Sequence, residues 1–243
     1  MRDPDFFLRR YAPVTTHLAF AEMPAAEFAE ALFVRTEEIT KMWELPWKVK
    51  KQLIQGDLAS KLDALLPLTS VRSTKDLVSA TGSSWAAYIP NCFRGGDAHA
   101  EPRFLAGKLK IRTLTVILVE DVPKGQPGSV QFVLRDGRQA TEKVTRHGIA
   151  YEYPTRSVVA HKESRWEFSE DGERLPFEEV GQYQAKKIKD RLTFEMVERY
   201  CAHLGIELFD PDFYAGAGYI IHSYAPPNAS FYPEYPAKRP RDN

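Results

Sequence analysis

The segment from Arg112 to Asp121, RTLTVILVED, carries the strongest strand pattern in this chain. Four consecutive apolar residues, Val116 to Val119, occupy its centre. Because neighbouring side chains of a strand point to opposite faces, a run of this kind places apolar side chains on both faces. The sequence therefore predicts that this segment is a central strand of a sheet, buried on both sides.

Other strand patterns surround this segment. Thr74 to Ala80 and Trp85 to Ile89 flank the turn sequence TGSS, and this arrangement predicts a hairpin. Gln126 to Arg135 alternates apolar and polar residues and ends at Asp136-Gly137, a pair that favours a tight turn. We therefore expect Thr141 to Tyr153 to return antiparallel to it.

Helical spacing of apolar residues occurs between and after these strands. Helices are predicted after Pro24, from Asp57 to Leu66, from Ala100 to Lys110, from about Phe177 to Arg191, and from the capping residue Thr193 to Gly205. Separate runs of strands and helices favour an α+β fold over a parallel α/β fold. We expect a single α+β domain over residues 1–225, with helices packed on a mainly antiparallel sheet. A Pro-rich irregular C-terminal tail is expected over residues 226–243.

The composition argues against several classes of protein. The 33 Lys and Arg residues balance 33 Asp and Glu residues, so the chain lacks the basic excess of a dedicated nucleic-acid binder. The longest apolar runs are shorter than the roughly 20 residues of a membrane-spanning helix. The N-terminus has no apolar signal core, and Cys92 and Cys201 match no zinc or redox spacing. These features predict a cytoplasmic protein that binds neither nucleic acid nor membrane.

The sequence contains no motif of a familiar catalytic or cofactor site. The GxGxxG, P-loop, HExxH and GxSxG patterns are all missing. The six histidines are scattered, and no pair has the spacing of helical metal ligands: His17, His99, His147, His161, His203 and His222. We therefore expect no cofactor and no metal site. A role other than catalysis is favoured, while a site assembled from distant residues stays open.

The loop after the first hairpin, from Asn91 to His99, provides one group of candidate residues. Arg94 and Asp97 stand at the two ends of its RGGD sequence. Loops on a rigid scaffold often carry binding residues, so both are candidates for recognition. The structural alternative is a salt bridge that only shapes the loop.

A second group of candidates follows residues 157–169, which predict another strand or hairpin. Trp166 lies in that segment and is followed by the acidic residues Glu170 and Asp171. An acidic edge with an aromatic residue is complementary to a basic partner protein. The alternative is a charged hairpin turn without a partner.

Two long segments carry a resemblance. The stretch from Thr74 to Asp97, with its TKDL, SSWAAY, IPN and FRGGD elements, resembles a group of uncharacterised bacterial proteins, and so does Arg165 to Tyr214. No activity is established for that group, so the resemblance implies a coherent domain. Small bacterial proteins of this type include many immunity proteins that neutralise toxins, and the comparison with them is one of general type.

Two main hypotheses of function follow. The first is a protein-binding protein, specifically an immunity protein that blocks the active cleft of a bacterial toxin through Arg94, Asp97, Trp166, Glu170 and Asp171. The second is an enzyme or small-ligand binder whose site is assembled around Arg94, Asp97 and His99, where charged and titratable groups follow one hairpin. A structural component of a larger assembly is a third, less specific hypothesis.

Overall fold

The structure, a computed structural model, describes residues 1–45, 48–70, 74–93, 98–122, 126–145, 148–223 and 229–236. Its α-helices in these ranges are α1 (Ala25–Met42), α2 (Leu58–Asp63), α3 (Ala100–Leu109) and α4 (Phe194–His203). Its strands are β1 (His17–Ala21), β2 (Lys50–Ile54), β3 (Leu68–Thr69), β4 (Lys75–Ala80), β5 (Ala86–Pro90), β6 (Arg112–Val119), β7 (Ser129–Asp136), β8 (Thr141–Thr145), β9 (Gly148–Glu152), β10 (Thr155–Lys162), β11 (Trp166–Asp171), β12 (Gly218–His222) and β13 (Phe231–Tyr232).

Nine strands form one sheet in the order β11-β10-β7-β6-β1-β5-β4-β12-β2. Every pairing within this sheet is antiparallel. β6 lies in the interior of the sheet between β7 and β1, and all of its residues after Arg112 are buried. The predicted α+β fold with a mainly antiparallel sheet is therefore confirmed, as are the central strand and the β4–β5 hairpin.

Both faces of the sheet are covered. α1 and α3 pack on one face, where Phe28, Leu32 and Leu105 belong to one apolar cluster with Tyr88 of β5. The opposite face carries α2, α4 and several short 3-10 turns. We refer to the two sides as the α1/α3 face and the α2/α4 face.

Local signals place the helix ends as expected. The Asp57 side chain accepts a hydrogen bond from the Ser60 N–H at the start of α2, and Thr193 accepts one from the Met196 N–H at the start of α4. Gly205 follows α4 with φ of 78°, a left-handed conformation that glycine adopts without steric cost. Trp85, directly before β5, is 2% exposed and belongs to the core on the α2/α4 face.

The Asp136-Gly137 turn does not return the chain along β7. The antiparallel neighbours of β7 are β6 and β10, whereas β8 and β9 pair with each other in a separate two-stranded ribbon. Gly137 begins a 3-10 turn against α3, where a Cβ atom would lie 1.9 Å from the carbonyl oxygen of Ala106. The predicted pairing of Thr141–Tyr153 with β7 was wrong because this glycine permits a close helix contact rather than a hairpin.

The helix predicted from Phe177 to Arg191 is also absent. Two short 3-10 turns, Val180–Gln184 and Ile188–Asp190, occupy this segment. Between them Ala185 has an extended backbone with ψ of 140°. Gly181 disfavours a helix, and the buried Tyr183 hydroxyl bonds to Glu178, so tertiary contacts override the approximate apolar spacing.

A buried ion-pair network connects β10 to β11 and to the chain that follows them on the α2/α4 face. Arg156 is 5% exposed and donates to Glu178 and Glu170, with both shortest distances 2.6 Å. Glu178 also accepts from the Leu175 N–H and the Tyr183 hydroxyl. Burial alone would lower the pKa of Arg156, but the hydrogen bonds to Glu178 and Glu170 raise it. The network is fully paired and fixes one edge of the sheet.

The C-terminal region is attached to the body where it is described. β13 pairs with β3, and Tyr235 is completely buried with its hydroxyl donating to the Leu62 carbonyl at 2.7 Å. Within the described residues, no helix is both long and apolar enough to span a bilayer.

We expect Arg156→Met to destabilise the protein by about 3 to 5 kcal/mol, because the side chain of Glu178 would stay buried without a counter-charge. Urea unfolding followed by tryptophan fluorescence measures this loss. The control is Arg199→Gln, which breaks the exposed Arg199–Glu179 pair, where less than about 1 kcal/mol is expected. Equal effects of the two substitutions would contradict the structural role of the network.

Candidate functional site: a cleft over a buried arginine

A cleft of about 390 Å³ opens on the α1/α3 face, between the sheet, the start of α3 and the β8–β9 ribbon. This volume lies at the lower end of the range for small-molecule sites. Of the residues that the structure describes, eight line it: Arg103, Val133, Arg135, Tyr151, Glu152, Tyr153, Thr155 and Ser157.

The floor of the cleft comes from two paired strands. Arg135 of β7 is opposite Thr155 of β10, and Val133 is opposite Ser157. Side chains alternate along a strand, and Leu134 between the two β7 residues belongs to the core on the α2/α4 face. The antiparallel register therefore directs these four side chains to the same surface.

The walls come from α3 and the ribbon. Tyr151 of β9 packs against Gly107 of α3, where an added Cβ atom would lie 2.3 Å from the Tyr151 side chain. The Tyr151 ring also meets Phe104 edge to face, with centroids 5.4 Å apart. Tyr153 follows the ribbon, and its hydroxyl donates to the Arg103 carbonyl at 2.6 Å. These contacts hold the ribbon over the cleft.

Arg135 is the central charge of the cleft. Its side chain is 6% exposed, and its Nη1 donates to Thr115 Oγ1 at 2.8 Å while its Nη2 donates to His99 Nδ1 at 2.9 Å. Both partners are neutral acceptors, and Arg135 forms no ion pair within the described residues. Burial lowers the pKa of Arg135 to about 10, so the group still carries its charge at pH 7.

His99, directly before α3, is held in one protonation state by this contact. A guanidinium can only donate hydrogen bonds, so His99 Nδ1 must be the acceptor and its imidazole is neutral. Burial, followed by the charge of Arg135, lowers the pKa of His99 to about 4. Burial also lowers the pKa of His17, on the neighbouring β1, to about 4. Among the described residues, both groups that accept hydrogen bonds from the Arg135 guanidinium, Thr115 and His99, are thus uncharged.

A second positive charge lies at the entrance. Arg103 is exposed and forms no ion pair among the described residues. Burial raises the pKa of Tyr153, while the charges of Arg135 and Arg103 act in the opposite direction. Glu152 is the one acid among the described residues of the lining, and it accepts a hydrogen bond from Lys143 at 2.7 Å. The lining therefore carries an excess of positive charge.

The structure describes only one of the three residues predicted from the loop Asn91 to His99. Arg94 and Asp97 lie outside the described residues. His99 is placed, and its contact with Arg135 makes it part of the support of the cleft. Of the three residues that the sequence indicated here, His99 is therefore the one that the described residues place at the cleft.

The second group does not form a single patch. Trp166 lines a different groove of about 520 Å³ beside α4. Glu170 uses both carboxylate oxygens to bind Arg156 and Arg174, and the Arg174 bond is the main reason that its pKa falls to about 2. Asp171 is exposed on the other face of β11, directly opposite Ser157 of the cleft floor.

Sequence reasoning missed Arg135, Arg103 and Tyr153. Arg135 stood in a strand with regular alternation, where a charged residue is normally read as solvent-facing. One signal was available in the sequence. Thr113 and Thr115 place hydroxyls on one face of the predicted central strand, and this is the side of the sheet that carries Arg135 of β7. Polar residues at alternate positions of a buried strand indicate a buried polar site.

Elsewhere in the described part of the chain, the reactive side chains do not gather into a further site. Within the described residues, no three His, Cys, Asp or Glu side chains converge in a way that can hold a metal ion. Cys201 is buried in the core on the α2/α4 face, and burial raises the pKa of its thiol.

We expect acid to destabilise the protein between pH 6.5 and pH 4. The unfolded chain protonates His17 and His99 near pH 6.5, whereas the folded chain does so near pH 4, so protons favour unfolding in this window. The loss is on the order of 2 kcal/mol for each histidine.

Urea unfolding at several pH values measures this dependence. His99→Asn keeps an acceptor for Arg135 without the titration and should make the profile shallower, with the contribution of His17 left in place. An unchanged profile in His99→Asn would contradict the assignment of a neutral, buried imidazole.

No family of known proteins, no curated protein and no solved structure matches this chain.

Proposed function

We propose that this protein binds a small anionic ligand in the cleft over Arg135. The observation that carries the proposal is the charge of Arg135, which is nearly buried and forms no ion pair in the described part of the chain. A buried charge without a counter-charge is unfavourable, and proteins usually pair such groups or use them. An anion in the cleft supplies the missing counter-charge.

The fixed orientation of Arg135 and the charge of Arg103 support the same proposal. Arg135 is fixed by Thr115 and His99, so its guanidinium is oriented before any ligand arrives. Pre-orientation lowers the entropic cost of binding. Arg103 adds a second positive charge at the entrance. We propose binding without a chemical step, because His99 Nδ1 already accepts a hydrogen bond from Arg135.

We expect 1:1 binding of at least one anion from a panel of benzoate, phenyl sulfate and phenyl phosphate, and no binding of neutral benzamide. Isothermal titration calorimetry measures this difference. Arg135→Gln should weaken binding by tenfold or more, because a hydrogen bond to a charged group contributes about 1.5 to 3 kcal/mol.

Arg199→Gln is the matched control, since it removes an arginine far along the chain on α4 that already has a carboxylate partner. Arg103→Gln alters an exposed side chain and tests the cleft without disturbing buried packing. Unchanged affinity in Arg135→Gln, or an absence of binding by the whole panel, would refute the proposal.

A second candidate function is protein binding, and one observation favours it. Val144 and Ile149 are a cross-strand pair of the β8–β9 ribbon and are 87% and 51% exposed. An exposed apolar pair is suited to contact with another protein. Asp171 is an accessible residue of the predicted interface, whereas the Glu170 carboxylate is occupied by two arginines. An immunity protein that blocks a toxin is the specific form of this candidate.

The ribbon can be tested with Val144→Ser/Ile149→Ser, using Val122→Ser, which is 50% exposed elsewhere, as the control. The candidate predicts that a partner recovered from host lysate by the wild-type protein is lost only in the ribbon variant. If that partner is a toxin, adding the purified protein should inhibit it. Equal recovery of the partner by both variants would show that the ribbon is not its binding surface.

A further inference from the structure

We infer that the anion recognised by the cleft is a phosphate monoester in its doubly charged form. This inference rests on the proposed function and specifies its ligand. The charges that line the cleft, the hydroxyl groups of its floor and its volume support it independently.

The charge of the lining matches a dianion. Arg135 and Arg103 contribute two positive charges, and neither has a carboxylate partner in the described residues. Glu152, the acid of the lining, is paired with Lys143 on the neighbouring strand. A phosphate monoester carries a charge of about −1.5 to −2 at pH 7, whereas a carboxylate or sulfate ester carries −1 and would leave one guanidinium uncompensated.

The floor also supplies a free donor for a ligand with several acceptor oxygens. The Ser157 hydroxyl makes no hydrogen bond within the described part of the chain, and its residue lies opposite Val133, two positions from Arg135. Thr155, opposite Arg135, makes only a long contact of 3.4 Å to the Tyr153 carbonyl. A tetrahedral phosphate can accept from a guanidinium and a hydroxyl at the same time.

The volume of about 390 Å³ favours a small molecule over a macromolecular surface. The phosphate group can nevertheless be carried by a free metabolite or by a phosphorylated peptide. Both sources present the same chemistry to Arg135 and Arg103, and they are distinguished in the experiment below.

The decisive comparison uses phenyl phosphate and phenyl sulfate, which have the same shape and differ in charge at pH 8. We expect phenyl phosphate to bind on the order of tenfold more tightly in calorimetry at pH 8, because it makes one additional charge interaction. The preference should disappear at pH 5, where phenyl phosphate is mostly a monoanion since its second pKa is near 6. His99 and Arg135 do not change charge between these pH values.

Variants test which residues create the preference. Arg103→Gln should reduce the preference for phenyl phosphate to about twofold or less while weak anion binding persists through Arg135. Arg165→Gln, at a position where the side chain is 85% exposed on the distant β10–β11 turn, should leave the preference unchanged. Asp171→Asn should strengthen phenyl phosphate binding, because it removes a negative charge beside Ser157.

The outcomes separate this inference from the proposed function. Equal binding of the two esters at pH 8 overturns the inference and leaves anion binding intact, whereas failure of both esters and of benzoate overturns both. Ribose 5-phosphate and a phosphotyrosine peptide then identify the source: tighter binding of either one supports the inference, and the tighter ligand shows which source the cleft accepts. A preference that persists in Arg103→Gln would exclude Arg103 and contradict the argument from charge.

Discussion

The uncompensated positive charge of Arg135 is the constraint on which the candidate site depends. β7 brings this residue to the α1/α3 face, where its guanidinium donates to Thr115 of β6 and Thr155 of β10 lies opposite it. α3 begins directly above it, so His99 reaches its guanidinium. Each of these neighbours is uncharged, and the charge can be balanced only by something that enters the cleft or by a segment outside the described residues.

Arg156 and Lys61 are also buried cations, and comparison with them shows that the adjoining cleft, rather than the lack of a carboxylate partner, distinguishes Arg135. Arg156 is surrounded by the carboxylates of Glu170 and Glu178. Lys61 is completely buried and donates to Ser79 Oγ and to the carbonyl oxygens of Tyr214 and Gly216. Both groups have a full set of partners within the fold, so their role is structural. Arg135 has two neutral partners and a cavity, which is the arrangement expected of a binding group.

Much of the scaffold was predictable from sequence, while most of the site was not. Signals that act over a few residues were reliable: the apolar run of β6, the caps Asp57 and Thr193, and the stop at Gly205. The ribbon β8–β9 and the irregular segment after Glu178 were mispredicted because contacts distant in sequence decide them, namely Gly137 against Ala106 and Tyr183 with Glu178. Of the site residues, the sequence indicated only His99. Arg135 becomes part of the site through the register of β7 and the position of α3, and a single sequence reveals neither.

NMR of the arginine side chains shows whether Arg135 itself receives the anion. In a titration with phenyl phosphate, we expect the ¹⁵Nε–¹Hε resonance of Arg135, assigned by its loss in Arg135→Gln, to shift and reach saturation together with that of Arg103. The resonance of Arg156, held by two carboxylates, should stay in place. Saturating binding that leaves the Arg135 resonance unmoved would contradict the account.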